Sequence, residues 1–241
     1  QRDGSTQIRL DGAVTADGLT RFMSTSSSKR LTRRLSGGTR YAANIKIRDG
    51  RLDFALDSNL VGLGIDLPAP LRKASPESFP LRVLITPSTL LDNTTRAEEI
   101  RISLGRNIAA RYLRTRPVSS NASWKLVRGG IGVNTPVPSN DSGVTLAINL
   151  PSLDADAWRA VLNSLSADTA TSADSVSPEE SFLTVDTINL RVNELTFAER
   201  SFDNAAINAN RMRGGWQINL NMNALAGRAT WEDPWSERGA G

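Results

Sequence analysis

Apolar and polar residues alternate through positions 41–67, YAANIKIRDGRLDFALDSNLVGLGIDL, with the period of two that marks strands burying one face. Ala43, Ile45 and Ile47 alternate with Asn44, Lys46 and Arg48. Asp49-Gly50 then supplies the two positive-φ residues of a type I′ hairpin, and Leu52, Phe54 and Leu56 resume the apolar face. Beyond positions 57–59 the apolar parity moves to Leu63, Ile65 and Leu67, as it does where a turn or bulge re-aims a strand. This stretch predicts three consecutive amphipathic strands whose apolar face must meet something.

The same rhythm recurs along the chain, predicting further short strands at 8–14, 81–85, 100–104, 124–127, 131–133, 144–150, 188–197, 205–211, 216–222 and 229–231. Val144, Leu146, Ile148 and Leu150 alternate most cleanly. Arg213-Gly214-Gly215 leads into Trp216, Ile218, Leu220 and Met222 as a second hairpin. Helical spacing is confined to 28–35 and to 154–165, where Asp154 can cap and Trp158, Val161, Leu162 and Leu165 recur at helical intervals. Two short helices cannot cover a dozen strands. Positions 166–181, SADTATSADSVSPEES, are small, polar and acidic and read as a flexible loop; 68–80 is a second, proline-bearing loop. The organisation is therefore β strands with two short helices over 1–165, a loop over 166–181, and a continuing β-meander over 182–241.

Composition removes several classes of chemistry. The chain has no Cys and no His, so thiol nucleophiles, thiolate metal sites and the commonest general base are absent. No apolar run approaches 18 residues, so any membrane anchor is expected outside these residues, as is any leader. The charge is +4, carried almost wholly by Arg, and most Arg alternate with Asp, Asn and Ser on the polar sides of strands, which argues against nucleic acid as a partner. Lys29, Arg30, Arg33, Arg34 and Arg40 form one denser basic stretch, best read as a short solvated helix stopped by Gly37-Gly38, with an anionic surface as the sharper alternative.

Catalytic motifs are poor. Ser26 to Lys29 has an S-x-x-K spacing without its companion motifs, and Gly129-Gly130-Ile131-Gly132 suits a hairpin turn better than a dinucleotide loop. Glu98 and Glu99 adjoin on a strand and so point to opposite faces, while Asp154 and Asp156 fit the first turn of a helix. The chain is expected to be no enzyme, with no catalytic residue, no metal and no cofactor.

Three phrases carry a family likeness: LVGLGIDLPAPLRKASPESFPLRV (60–83), LPSLDADAWRAVL (150–162) and LTFAERSFDNAAINANRMRGGWQINL (195–220). They resemble the YhdP-like proteins of the AsmA-like superfamily, which includes TamB. The likeness extends from about position 12 to about 231. It implies an internal segment of a periplasmic protein of Gram-negative bacteria, held in the inner membrane by a helix outside these residues. It also implies phospholipid movement towards the outer membrane, support of that membrane's permeability barrier, and a long curled sheet with a hydrophobic groove of the bridge-like lipid-transfer type.

Periodicity alone favours an ordinary two-layer sandwich; the resemblance favours a curled antiparallel meander forming an elongated groove. On that second reading the groove residues, assigned by parity, are Ile45, Ile47, Leu52, Phe54, Leu56, Leu63, Ile65, Leu67, Val144, Leu146, Ile148, Trp216, Ile218 and Leu220. The expected partners are phospholipid acyl chains and inner-membrane, outer-membrane or envelope proteins, with the segment itself monomeric. A structural or protein-interaction module of the cell envelope is the alternative.

Overall fold

The computed structural model describes residues 5–23, 26–48, 51–88, 94–118, 122–166, 184–223 and 225–232. Strands β1 (Thr6–Thr15), β2 (Leu35–Arg48), β3 (Arg51–Ser58), β4 (Leu63–Ile65), β5 (Leu81–Ser88), β6 (Thr95–Leu104) and β7 (Ile108–Pro117) form the first part of a single sheet. It continues through β8 (Lys125–Val133), β9 (Gly143–Asp154), β10 (Thr187–Phe197), β11 (Arg200–Met212), β12 (Gly215–Met222) and β13 (Leu225–Glu232). The sheet is one open, curled, mixed layer, and strands hold most of the described residues. Its path runs β1-β2-β3-β5-β6-β7-β8-β9-β10-β11-β12-β13, with β4 attached to β2 alone. Eleven spacings of about 4.8 Å make that path roughly 53 Å long.

Most neighbours are antiparallel, but β9 runs parallel to both β8 and β10. Each parallel pair needs the chain to cross back. Between β9 and β10 the crossover contains helix α3 (Ala155–Ser166). Between β8 and β9 only residues 134–142 are available, and they return against the strand they leave. The glycines of β8 make this possible: a Cβ on Gly130 would strike the Pro138 carbonyl, and one on Gly132 the Thr135 and Pro136 backbone. The glycine run is therefore strand interior rather than the expected hairpin turn, because the backbone of the return loop lies where side chains would be.

Other differences from the sequence reading have equally local causes. Strands 124–127 and 131–133 are one, β8, bent by a bulge opposite Leu113 and Arg114. β7 lacks a sequence signal because Arg114 and Arg116 occupy the positions at which its apolar series Ile108, Ala110, Tyr112 would continue. The expected third strand of the opening meander, β4, is three residues long and folds back on β2 through Leu35↔Ile65 and Gly37↔Leu63, leaving β5 to pair with β3. Arg48 stands opposite Arg51, so two residues join β2 to β3; those two, Asp49 and Gly50, lie outside the described residues, as does 167–183.

Helices α1 (Ala16–Phe22), α2 (Ser26–Thr32) and α3 gather at one end of the strands. Thr15 caps α1 by accepting from Gly18 N at 3.1 Å, and Asp154 caps α3 by accepting from Ala157 N at 2.8 Å. Helix α2 stops at Thr32, and Gly37-Gly38 lie inside β2 rather than ending it. Gly37 takes φ +73 and its Cβ position is filled by the Gly62 carbonyl, so the approach of the 59–62 segment, not helix termination, requires glycine there.

Two apolar clusters anchor this end. Ala16, Leu60 and Leu63 pack with Leu35, Phe79, Leu81 and Leu104; Leu150, Val192, Leu195 and Ala205 pack with Ile148, Leu153, Leu190 and Phe202 among others. Lys73, only 4% exposed, ties the first cluster's loop by donating from Nζ to the carbonyls of Leu63 (2.5 Å), Ala74 (2.9 Å) and Ser75 (3.4 Å). Burial holds its pKa below the ordinary lysine value, with Glu77 acting in the other direction.

Candidate functional site

Cross-strand register turns the separate apolar stripes into continuous rows. One row reads Leu10, Ala43, Leu56, Val83, Ile102, Ala110, Ile131, Leu146, Ile188, Ala209, Ile218 and Ala229, each residue opposite the next on the neighbouring strand. It crosses the sheet from edge to edge without a polar residue. Two residues away, Ile8, Ile45, Phe54, Ile85, Ile100, Tyr112, Gly129 and Val144 form a second row. On the other side Leu81, Leu104, Ile108, Val133, Ile148, Leu190, Ile207, Leu220 and Gly227 form a third. Paired residues share a face, so these rows make one apolar strip roughly 13 Å wide along the strands.

The opposite face is polar. Glu99 accepts from Arg101 and from Arg111 (2.7 Å), and Arg82 meets Asp57 at 3.7 Å. Further along, Asn189, Asn208, Asn219 and Arg228 stand in register, with Asn208 donating to Asn189 at 2.5 Å and Arg228 to Asn219 at 2.9 Å. Burial tends to raise the Glu99 carboxyl, but hydrogen bonds from Arg111 and Arg101 outweigh it and hold the group below its ordinary value.

No second sheet covers the apolar strip among the described residues. At the edges it is open, with Ile8 42%, Leu10 45%, Leu225 52% and Trp231 57% exposed. Towards the middle Leu56, Val83, Ile102, Ile131, Leu146 and Ile188 are partly buried. In a single curled layer they shade one another. Val144 (1% exposed), Tyr112 (6%), Ala209 (6%) and Ala43 (8%) are buried within it.

The residues singled out by parity separate into two sets. Ile45 with Phe54 and Ile47 with Leu52 are direct cross-strand pairs, and Leu56 opposes Ala43. Val144, Leu146, Ile148, Trp216, Ile218 and Leu220 belong to the same face farther along. Leu63, Ile65 and Leu67 do not. Leu63 (4% exposed) and Leu67 (8%) are buried beside the helices, and Ile65 pairs with Leu35 and bridges Lys73. Val83, Ile85, Ile100, Ile102, Ala110, Ile131, Ile188 and Leu190 belong to the strip but were outside the parity assignment; only the register reveals them.

The two acid pairs divide as strand and helix geometry requires. Glu98 faces the strip and pairs with Arg114 at 2.7 Å, while Glu99 faces away. Asp154 caps α3 and Asp156 accepts from the backbone N–H of Glu199 at 3.0 Å. A cavity of about 930 Å³ opens near the helical end of β1, β2, β3, β5 and β6, against Gly12, Tyr41, Ser58 and Leu81. No group of His, Cys, Asp or Glu among the described residues has a metal-binding arrangement, and no described helix is long and apolar enough to cross a membrane.

No curated protein and no solved structure matches the chain. A family model described as YhdP protein matches residues 1–240, nearly the whole length. The chain, an open, curled sheet crossed by one unbroken apolar row, belongs to the YhdP family.

Proposed function

We propose that this chain forms part of a passive conduit for phospholipid between the inner and outer membranes, with acyl chains against the apolar strip and headgroups at its solvent edge. The observation carrying this reading is the row from Leu10 to Ala229, apolar at each of the twelve strands along the path and with no second sheet over it among the described residues. Membership of the YhdP family supports it by suggesting AsmA-like envelope lipid transport.

The physical requirement is continuity. Two acyl chains with about 28 methylenes lose on the order of 20 kcal/mol on entering water, so a single polar gap would stall them. Such a device needs no nucleophile, general base, metal or cofactor; we assign the chain no catalysis and place it in the periplasm, tethered to the inner membrane by a helix outside these residues. Partners on this reading are acyl chains and envelope proteins, not nucleic acid, and the segment acts as a monomer. Native mass spectrometry of the purified chain tests it: co-purified phospholipid is expected, and a chain that stays lipid-free even after incubation with phospholipid vesicles contradicts it.

A structural or interaction module is the second reading. The outer edges of β1 and β13, which no other described strand pairs, favour it, because each offers a row of backbone groups to another strand.

A further inference from the structure

We propose that Arg116 and Arg114, stacked on Trp124, form a binding site for the phosphate of a lipid headgroup at the rim of the apolar strip. The proposal rests on the groove reading above and adds where the polar end of the lipid is held.

Along β7 the strip-facing residues run Ala110, Tyr112, Arg114, Arg116, so within three steps the face passes from apolar to cationic. Their partners on β6 follow suit: Ile102, Ile100, Glu98 and Arg96. The transition lies at the end of the strands away from the helices, where the strip meets solvent. Trp124 reaches this face through the β8 bulge: Arg128 opposes Leu113, but the next pair is Arg114 with Leu126, omitting Val127. Were Val127 paired in regular alternation instead of bulged out, it would oppose Arg114 and Trp124 would face the other way.

Both guanidinium groups lie 4.6 Å from the centre of the Trp124 ring. Stacking fixes their planes and leaves N–H donors at their edges available for hydrogen bonding. Arg114 directs Nε (3.0 Å) and Nη2 (2.7 Å) to the same oxygen of Glu98, which positions it. Arg116 has no acidic partner among the described residues, and Arg96 stands directly opposite it in the register. Glu98 matches Arg114, and Arg116 adds a further positive charge beside the apolar track. A phosphate esterified to an apolar tail matches both halves of that arrangement.

The test compares binding by the full chain of phosphatidylglycerol, of diacylglycerol with the same acyl chains, and of inorganic phosphate. The parent is expected to prefer the phospholipid about ten-fold, the effect of roughly one charge-assisted hydrogen bond. Arg116→Gln should remove that preference while leaving diacylglycerol binding and thermal unfolding unchanged, and Arg116→Lys should restore only part of it. Equal binding of the two lipids by the parent, or an equal loss of both in Arg116→Gln, overturns the headgroup site and leaves the groove standing. Inorganic phosphate binding without a phospholipid preference overturns it in favour of a free-anion site. Failure of both lipids to bind removes the groove and the rim site together.

Discussion

Trp158 Nε1 donates to the carbonyl of Ala69 at 2.9 Å, joining residues 89 apart in sequence. Trp158 belongs to α3, which leaves β9; Ala69 belongs to the loop that precedes β5. Arg34, just before β2, adds a second tie by donating to Ser164 Oγ at 3.0 Å. On a flat sheet β2 and β9 would stand six spacings, roughly 29 Å, apart. A helix of 12 residues is about 18 Å long, so these ties require the sheet to curl, and α3 acts as a strap across its end.

Trp158→Phe should therefore weaken the strap without emptying it, losing one hydrogen bond worth about 0.5–1.5 kcal/mol. The expected fall in Tm is a few degrees, with a larger fall for Trp158→Ala, measured by thermal unfolding. No change in either variant would mean that α3 does not hold the curl.

Core and strip should respond differently to truncation. Leu195, 3% exposed, is expected to cost about 2–5 kcal/mol when changed to Ala. Leu146→Ala, on the partly buried strip, should cost distinctly less, because less contact and less burial are lost. Urea unfolding of the two variants checks the difference; equal losses would indicate that the strip is packed as tightly as the core.

Gly130→Ala should destabilise by about 1–3 kcal/mol, since its new methyl meets the Pro138 backbone rather than a side chain that can rotate away. Gly227→Ala, with nothing within 4 Å of its Cβ position, serves as the tolerated control. Denaturation midpoints of both variants measure the contrast.

Acid should erode the outer-face pairing at Glu99. Its folded pKa is lowered, so its contribution is fully present above the unfolded-state value and is lost as pH falls through the folded value. Glu99→Gln should be less stable than the parent near neutral pH by no more than about 1 kcal/mol, given exposed Arg partners, and equal to it in strong acid. A gap that persists at low pH would assign the loss to packing.

Much of this architecture was legible in the alternation of apolar and polar residues. Ile45, Ile47, Phe54 and Leu146 announce their face because each strand obeys parity on its own. The order of strands was less legible: nothing in the three residues of β4 says that they return to β2, and the parallel placement of β9 depends on glycines that admit a backbone. Leu63 and Leu67 have the apolar character of groove residues, yet local periodicity does not distinguish a strip from the core beneath it. Trp124 and Arg116 meet only through a bulge, which shifts parity without a distinctive residue.

Charge on the strip should block lipid before it unfolds the chain. Phe54→Arg or Leu56→Asp places an ion where acyl chains must pass, while the open side lets the charged tip reach water. Lipid loading is expected to fall sharply with thermal unfolding largely retained, and Arg48→Ser or Arg51→Ser should leave loading intact. Unfolding of every strip variant would instead favour a closed interaction module.

The most direct measurement is a face-by-face cross-linking scan in living cells. Photoactivatable residues at Val83, Ile102, Ile131 and Leu146 sample successive positions of one row, and at Arg82, Arg101, Arg128 and Asn149 the opposite face. The account predicts phospholipid adducts from every position in the first set and none from the second. Adducts that appear equally on both faces, or on neither, would contradict a conduit along the apolar strip.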